Sequence, residues 1–305
     1  MNDNPAANDR NINIKKPVMI IPSVAIHMDR TVNEGAKFNL QTEAVPLYAL
    51  SPEKKTRFMD DIAEAVGVKA EDILSYELAP YEYEKGCIFG INEEFISAGR
   101  TDDAAMAHAS FCGLIQAANS EESCIAVAYD HEEIGSTSTR GARSNSLMAL
   151  IERICEKLNM TTEDKYRTLV NSLLFSADMA HAVHPSYASK ADPNHPVQLN
   201  KGPVLKTTSY QSYATSSRGS AIFTWLCKKN NIPYQVFTNR SDARGGGTIG
   251  SGLAAIFGMT TVDIGNPTLG MHSIREMIGV EDHFYMKELF AALFSADLNG
   301  VFNGN

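Results

Sequence analysis

Two adjacent carboxylates, Glu132 and Glu133, lie shortly after the apolar run 125–128 of this 305-residue chain. The run predicts a buried strand, and a loop rich in Gly, Ser and Thr follows before a helical pattern begins near residue 144. Ligand sites of α/β sheets lie where strands end, so carboxylates at this position favour metal binding or acid-base chemistry. For the pair taken alone, a solvated acidic turn is the alternative, because charged residues are mostly exposed.

Three further predicted strands are followed by residues of similar capability. In chain order, these strands and the residues after them are 172–176 with Asp178, His181 and His184, 234–238 with Arg240 and Asp242, and 260–264 with His272. Because parallel strands end at one edge of a sheet, we expect these side chains to converge. Carboxylates and imidazoles without thiolates indicate Zn²⁺, Mn²⁺ or Co²⁺.

A two-metal hydrolase needs a bridging carboxylate, terminal ligands and a free carboxylate that accepts a proton from water. Asp102, at the start of a predicted helix, could bridge two ions. The terminal ligands could be Glu133, Asp178 and His272. Glu132 would then be the free base, because neighbouring side chains diverge.

A glycine-rich loop at residues 245–250 fits the pattern GxGxxG and opens a helix after a predicted strand. With Asp263 at the end of the next strand, the loop has the features of a dinucleotide site. It lies late in the chain, however, and Asp242 and Arg244 place side chains at its entrance. We favour a loop whose backbone approaches a substrate closely and keep nucleotide binding as an alternative.

Strand and helix patterns alternate from residue 86 onward. They predict an α/β fold with a mostly parallel sheet covered by helices on both faces. The predicted strands are 87–90, 94–97, 124–128, 172–176, 203–207, 234–238 and 260–264, and the predicted helices are 104–118, 144–158, 215–229, 249–258 and 283–296.

The composition is that of an ordinary globular protein, with 44% hydrophobic and 21% charged residues. A net charge of -9 argues against a nucleic-acid or membrane-surface partner, because such binding needs clustered Lys and Arg. Membrane spans need roughly 20 apolar residues, and neither such a run nor a signal peptide is visible, so we expect a cytoplasmic protein. Five cysteines without CxxC spacing indicate neither a disulfide framework nor a cysteine zinc site.

The first part of the chain differs from the rest. It comprises a polar lead-in to about residue 16, a strand predicted at 17–22, a helix predicted at 53–68 and a strand predicted at 72–78. A compositional shift follows at residues 79–80. We therefore divide the chain into a smaller domain at 1–78 and a larger domain at 79–305.

Four motifs stand in order along the chain, namely IPSVAIHMDR at 21–30, DHEEIGS at 130–136, SADMAHAVHP at 176–185 and MHSIRE at 271–276. Together they resemble the aspartyl aminopeptidase family, and the resemblance extends from about residue 17 to near the C-terminus. It implies a co-catalytic dizinc exopeptidase that removes N-terminal Asp or Glu from peptides. The smaller domain would be part of a β-rich dimerisation or lid domain, and the larger one the metallopeptidase domain.

The resemblance assigns roles to individual positions. They are Asp102 as the bridge between two zinc ions, Glu133 and His272 as ligands of one ion, Asp178 as a ligand of the other, and Glu132 as the general base. The sequence Thr101-Asp102-Asp103 stands where many members have Leu-Asp-Asn, a departure that leaves the bridging ligand intact.

The resemblance also implies substrate contacts and an assembly. Lys206 would face the acidic side chain of the substrate through charge-assisted hydrogen bonds, although by itself it is expected to be an exposed lysine at a strand end. His184 is assigned to substrate binding as well. The family forms a tetrahedral dodecamer in which the histidine that matches His27 serves a neighbouring subunit. From the residues alone, His27 is expected to be structural.

One part of the family pattern has no counterpart in this chain. The N-terminal part of the catalytic domain carries the first histidine ligand of the second metal, and nothing here matches it. We therefore expect a chain whose missing part is encoded elsewhere, or a truncated relative. A non-catalytic assembly subunit is the alternative to an active enzyme.

Overall fold

A computed structural model of the chain describes residues 9–31, 34–35, 37–50, 57–117, 122–243 and 245–297. The chain divides into two compact units, Met1–Glu84 and Lys85–Asn305. The domain boundary predicted after residue 78 lies a few residues before this division, and the roles assigned to the two domains remain predictions. Among the described helices, none has both the length and the apolar composition needed to span a membrane.

The first unit contains one described α-helix, α1 (Phe58–Val66), which corresponds to the helix predicted at 53–68. Residues 53–56 of that prediction lie outside the described residues. The helix ends at Gly67, whose φ of 70° is a left-handed conformation that glycine adopts without a Cβ clash. One face of α1 buries Ile62 and Ala63.

The two strands predicted for the first unit are not formed as such. The segment predicted at 17–22 makes a single β-bridge, between Ile20 and Leu47. The segment predicted at 72–78 begins in a short 3-10 turn at Ala70–Asp72 and continues without regular structure. An apolar run becomes a strand only where another backbone edge is available, and the described part of this unit provides only that one bridge.

The described residues of the second unit form nine strands and six α-helices. In chain order they are β1 (Cys87–Phe89), β2 (Phe95–Ala98), α2 (Thr101–Gln116), α3 (Ser146–Lys157), α4 (Thr162–Val170), β3 (Leu173–Ala177), β4 (Ala180–His181), β5 (Val204–Lys206), α5 (Ser217–Lys229), β6 (Gln235–Phe237), α6 (Ile249–Phe257), β7 (Thr260–Gly265), β8 (Pro267–Leu269), β9 (Glu276–Gly279) and α7 (Val280–Phe294).

The strands form two sheets, and the predicted α/β fold is confirmed. In the four-stranded sheet, ordered β3-β7-β5-β6, the outer pairs are parallel and the central pair is antiparallel. The five-stranded sheet has the order β1-β2-β9-β8-β4. Because β6 runs opposite to β3, its carboxyl end lies at the other end of the sheet. The expected convergence of Arg240 and Asp242 with Asp178 is therefore wrong, and Arg240 instead pairs with Asp242.

Helices cover both faces of the four-stranded sheet. Side chains of α2, α5 and α7 form the main core with one face of the sheet, where Met106, Phe223 and Met286 are fully buried. Phe175 of β3 packs against this core, whereas the adjacent Leu174 packs against a second cluster that includes α6. Successive side chains of a strand point to opposite faces, so the two clusters lie on opposite sides of the sheet.

Two local differences from the sequence prediction bear on the site. Helix α4 was not predicted, although Thr161 and Asp164 form a capping box at its start, which is a recognisable sequence signature. The strand predicted at 124–128 is not formed: these residues have no regular structure. The predicted strands before and after this segment, at 94–97 and 172–176, are formed as β2 and β3.

Candidate metal centre

Three side chains from distant parts of the chain meet beside the start of helix α2. The Nε2 atom of His272 lies 3.1 Å from Asp102 Oδ2 and 3.2 Å from Glu133 Oε2. The Asp102 side chain is 5% exposed, whereas His272 and Glu133 remain accessible. One nitrogen and two carboxylate oxygens within 4.8 Å of one another form a donor set that fits zinc.

A buried carboxylate, Glu276 of β9, holds two of these residues in place. Its Oε2 atom accepts hydrogen bonds from the Thr101 hydroxyl at 2.6 Å and from the Asp102 N–H at 2.8 Å. Its Oε1 atom accepts from the His272 N–H at 2.8 Å. Glu276 is 2% exposed. Sequence reasoning assigned Glu276 no role beyond its place in the MHSIRE motif, and its strand, β9, was not predicted.

The two adjacent glutamates lie in a short 3-10 turn, Glu132–Ile134, bounded by left-handed residues at His131 and Gly135. The Ser136 N–H donates to the His131 carbonyl at 2.8 Å, which closes the turn. Glu133 contacts His272, whereas Glu132 belongs to neither of the two possible metal-ligand groups. The side chains thus have different surroundings, as expected for neighbouring residues.

A second group, which shares Asp102, contains carboxylates only. Oxygen atoms of Asp102, Asp103 and Asp178 lie within 4.8 Å of one another. The Lys206 ammonium lies 3.1 Å from Asp178 Oδ2 and is 2% exposed as a residue. The expectation that Lys206, taken alone, is an exposed lysine is therefore wrong. The carboxylate partner stabilises a cation that could not otherwise be buried.

Burial and mutual repulsion shift the acid-base properties of this cluster. Burial, followed by the charges of Asp178 and Glu133, raises the pKa of Asp102 to about 7. Burial and Asp178 also raise the pKa of Asp103 and of Glu132 above their ordinary values. For Lys206, burial alone lowers the pKa, but the Asp178 charge and other neighbours more than offset it and the net pKa is raised. A divalent cation would relieve the repulsion among the carboxylates.

The two other histidines with predicted site roles have local partners or open surroundings. His184 caps the 3-10 helix Pro185–Lys190, where its Nδ1 atom accepts from the Ser186 N–H, and its ring packs against Tyr187. His27 is exposed in a turn of the first unit. Substrate-binding roles for both residues remain predictions.

The glycine-rich loop lacks the surroundings of a dinucleotide site. The strand before it, β6, and the strand after it, β7, are antiparallel, whereas the dinucleotide motif requires a parallel βαβ unit. Asp263 is fully buried and accepts hydrogen bonds from the Thr248 hydroxyl and the Ala214 N–H. Its carboxylate is therefore committed to holding loops in place. Arg244 lies outside the described residues.

Comparisons with known proteins agree with this geometry. The family model described as "Aminopeptidase I zinc metalloprotease (M18)" matches residues 1–294. The "Probable M18 family aminopeptidase 2" of Clostridium novyi (strain NT) is 44% identical over 287 residues, which cover 93% of this chain and 66% of the relative. The chain thus spans just under two thirds of the length of this relative.

Solved structures give the same result at the level of the fold. A chain in the cryo-EM structure of the Ape4 and Nbr1 complex superposes with a TM-score of 0.89 at 36% identity, covering 96% of this chain and 61% of that one. The structure of the S. cerevesiae mApe1 dodecamer superposes with a TM-score of 0.77 at 27% identity, covering 94% of this chain and 64% of that one.

Proposed function

Because the chain belongs to the M18 family of aminopeptidase I zinc metalloproteases, we propose that its second unit is the catalytic part of an aminopeptidase that releases N-terminal Asp or Glu from peptides. The observation that carries the proposal is the meeting of Asp102, Glu133 and His272 in one donor set. Asp102 and His272 are more than 100 positions apart in the sequence, so their proximity results from the tertiary fold.

Zinc fits the donor set best, and Mn²⁺ and Co²⁺ are the alternative ions. We assign Asp102, Glu133 and His272 to one ion and Asp102 with Asp178 to another. When bound, zinc would lower the pKa of a water molecule and polarise the scissile carbonyl. The shared position of Asp102 in both groups supports its role as the bridging ligand.

Glu132 is the proposed general base. Its side chain is half-buried and outside both ligand groups, and burial raises its pKa above the ordinary value, which suits a group that accepts and returns a proton. The carboxylate takes a proton from the attacking water and delivers it to the leaving amine. Asp102 and His272 keep their positions during this transfer because Glu276 holds both main chains.

A Glu132→Gln substitution tests the assignment of the base. We expect hydrolysis of aspartyl anilide to fall by about 10³-fold, while zinc content is retained, since general acid-base catalysis contributes about 10²–10⁴-fold. Glu152→Gln is a matched control, because Glu152 pairs with Lys165 away from the cluster. A Glu132→Gln enzyme whose rate stays within tenfold of the unmodified chain would refute the assignment.

The proposed acidic preference rests on Lys206, with His184 and His27 as further substrate contacts. The Lys206 ammonium is buried beside Asp178, where a low local dielectric strengthens its attraction for a substrate carboxylate. We expect Lys206→Met to raise KM for aspartyl anilide at least about tenfold and to leave leucyl anilide nearly unchanged. The control is Lys201→Met, an exposed lysine in the same segment. An unchanged ratio of the two substrates would exclude Lys206 as the selectivity residue.

The proposed enzyme is a homo-oligomer, in which His27 serves the site of a neighbouring subunit. Support comes from a solved relative, the S. cerevesiae mApe1 dodecamer. Light scattering of the purified chain tests this arrangement, and a monomeric chain with full activity would contradict it.

A non-catalytic assembly subunit is the second candidate. One observation favours it. Among the described residues, the ligand group of Asp102, Asp103 and Asp178 contains carboxylates and no histidine. Zinc stoichiometry separates the candidates. Close to two ions per chain with hydrolysis supports the enzyme, and one ion or none without hydrolysis supports the subunit.

A further inference from the structure

Two histidines from different helices meet where α2 packs against α7. His108 Nδ1 lies 2.9 Å from His283 Nε2, and the two rings stack with their centroids 5.1 Å apart. The helices pack closely because Gly113 of α2 has no side chain: a Cβ at this position would collide with Phe290 of α7. This packing brings the two imidazoles together although they are 175 positions apart in the sequence.

Cys112 adds a thiol to this pair of imidazoles. It follows His108 by four positions, so both side chains lie on the same face of α2. The Cys112 Sγ atom is 3.5 Å from His108 Nε2 and 4.0 Å from His108 Nδ1. His108 is exposed, whereas Cys112 and His283 are half-buried, so ions can reach the group from solvent. We call these three residues the His-Cys cluster.

The ligand types and distances in the His-Cys cluster fit a tetrahedral zinc site. Zinc binds imidazole and thiolate together, and sites with three protein ligands keep a fourth position for water. Ordinary Zn–N and Zn–S bond lengths place two nitrogens about 3.3 Å apart and a nitrogen and a sulfur about 3.6 Å apart. With His108 Nδ1 as a ligand, the distances of 2.9 Å to His283 and 4.0 Å to Cys112 require only small movements.

A fully buried asparagine can orient His283 as a ligand. The Asn266 side-chain amide lies 3.4 Å from His283 Nδ1, the ring nitrogen that does not face His108. Asn266 is 0% exposed, and its Oδ1 atom has no hydrogen-bond partner among the described residues. A half-turn of the amide brings this oxygen to the Nδ1–H, which leaves the lone pair of Nε2 for a metal. Histidine ligands are ordinarily held in this way by an oxygen acceptor.

We propose that the His-Cys cluster binds one Zn²⁺ ion, at a site separate from the carboxylate cluster and formed by α2 and α7. Burial, followed by the charges of His108 and Lys287, lowers the pKa of His283 to about 4, so this ring is a neutral ligand at pH 7. Asp102 lies in the first turn of α2, within about two turns of His108. The ion therefore ties the helix that carries Asp102 to α7 and stabilises the folded chain. The inference goes beyond the proposed function and does not depend on it.

Titration of the metal-free chain with Co²⁺ is the first test. Bonds between Co²⁺ and a thiolate give an intense absorption band in the near ultraviolet, whereas oxygen and nitrogen ligands give weak bands. The two described ligand groups of the carboxylate cluster contain no cysteine, so the band does not arise there. We expect the band in the unmodified chain and its loss when Zn²⁺ replaces Co²⁺. No band at saturating Co²⁺ overturns the proposal and leaves the two imidazoles joined by a hydrogen bond only.

Two matched pairs of variants assign the band to the cluster. Cys112→Ala should abolish it, whereas Cys87→Ala, at an exposed cysteine of β1, should keep it. His283→Ala should weaken Co²⁺ binding at this site at least about tenfold, whereas His195→Ala, at an exposed histidine paired with Asp192, should change it less than twofold. A band that survives in folded Cys112→Ala, or equal affinities in the two histidine variants, refutes the proposal.

Alkylation of the unmodified chain decides the question should Cys112→Ala fail to fold. Zn²⁺ should slow the reaction of Cys112 with iodoacetamide at least about tenfold, because a metal-bound thiolate is shielded from the reagent. The reaction of Cys87, followed in the same digest, should change less than twofold. Equal labelling of Cys112 with and without Zn²⁺ overturns the proposal.

The His272→Ala variant separates this inference from the proposed function. It removes a ligand of the carboxylate cluster, and the cobalt band should persist because the His-Cys cluster is intact. The band without hydrolysis in the unmodified chain would refute the peptidase and keep the zinc site on α2 and α7. Hydrolysis without the band would refute that site and keep the peptidase. Zinc in the carboxylate cluster is counted in Cys112→Ala, where the ion of the His-Cys cluster does not contribute.

Discussion

The two sides of the carboxylate cluster differ in chemistry although they share Asp102. On the His272 side, an imidazole and two carboxylates form a mixed donor set of the kind that zinc prefers. On the Asp178 side, three carboxylates meet, and the nearest cation is the buried Lys206. The first side is arranged to hold an ion by its own residues, whereas on the second side one carboxylate, Asp178, is paired with Lys206. Proximity of acidic groups alone therefore does not make two equivalent metal sites.

The supports of the two sides differ as well. Glu276 binds the main chains of both Asp102 and His272, so the His272 side has a buried positioning residue. Asp178 follows β3 directly, and its N–H bonds to β7. One side of β3 is unpaired among the described strands, so the Asp178 side rests on a strand that is held from one direction only. We expect the His272 side to bind zinc more tightly.

The largest expected effect compares the two sides directly. His272→Ala should weaken the tighter zinc site at least about 100-fold in calorimetric titration, because loss of a direct ligand costs more than the 10–100-fold typical of an outer partner. Asp178→Ala should change the same site less than about tenfold. The reverse order of the two effects would contradict the assignment of the tighter site to His272.

Glu276→Gln is the next test and concerns positioning. One carboxylate oxygen becomes an amide donor that faces N–H groups, so we expect zinc affinity to fall about 10–100-fold. Asp282→Asn serves as the control, because Asp282 is also buried and accepts from the Asn200 and Gly202 N–H groups. Both variants should lose stability, but only Glu276→Gln should lose zinc affinity. Equal affinities in both variants would leave Glu276 with a structural role alone.

The smallest expected effect is on the pH dependence of stability in zinc-free protein. The folded-state pKa of Asp102 is raised to about 7 from an ordinary value of 3.8, so the folded chain binds this proton more tightly than the unfolded chain. Stability should therefore fall as pH rises from about 4 to 7. Urea unfolding after chelation should show a smaller pH dependence for Asp102→Asn. If Asp102→Asn and the unmodified chain show the same pH dependence, the charge repulsion that lowers stability arises at other residues.

Much of the fold was predictable from local patterns. Helices α5 and α7 and strands β5 and β7 follow apolar periodicity, and each was expected near its observed position. The capping box at Thr161 could have identified α4 as well. The strand predicted at 124–128 is not formed, although its apolar pattern is typical of a strand. Among the described residues, no neighbouring strand pairs with it.

The residue types that form the candidate site were predictable from the sequence, but the contacts between these residues were less so. Asp102, Glu133 and His272 were named from their places after strands or at a helix start, and they do lie together. The bond between the Asp102 N–H and Glu276, 174 positions away, had no sequence signal that specified its partner. The pairing of Lys206 with Asp178 was also unexpected, since an isolated lysine is ordinarily exposed.

The sequence by itself determined most of the helices and the side-chain types that can bind a metal or move a proton, because those properties depend on residues close together in the chain. The tertiary structure alone decided that β6 runs against β3, that Glu276 joins Asp102 to His272, and that β3 pairs only with β7 among the described strands. These outcomes depend on which distant backbones and charges meet. Burial then sets their energies, because it weakens the screening of each charge by water.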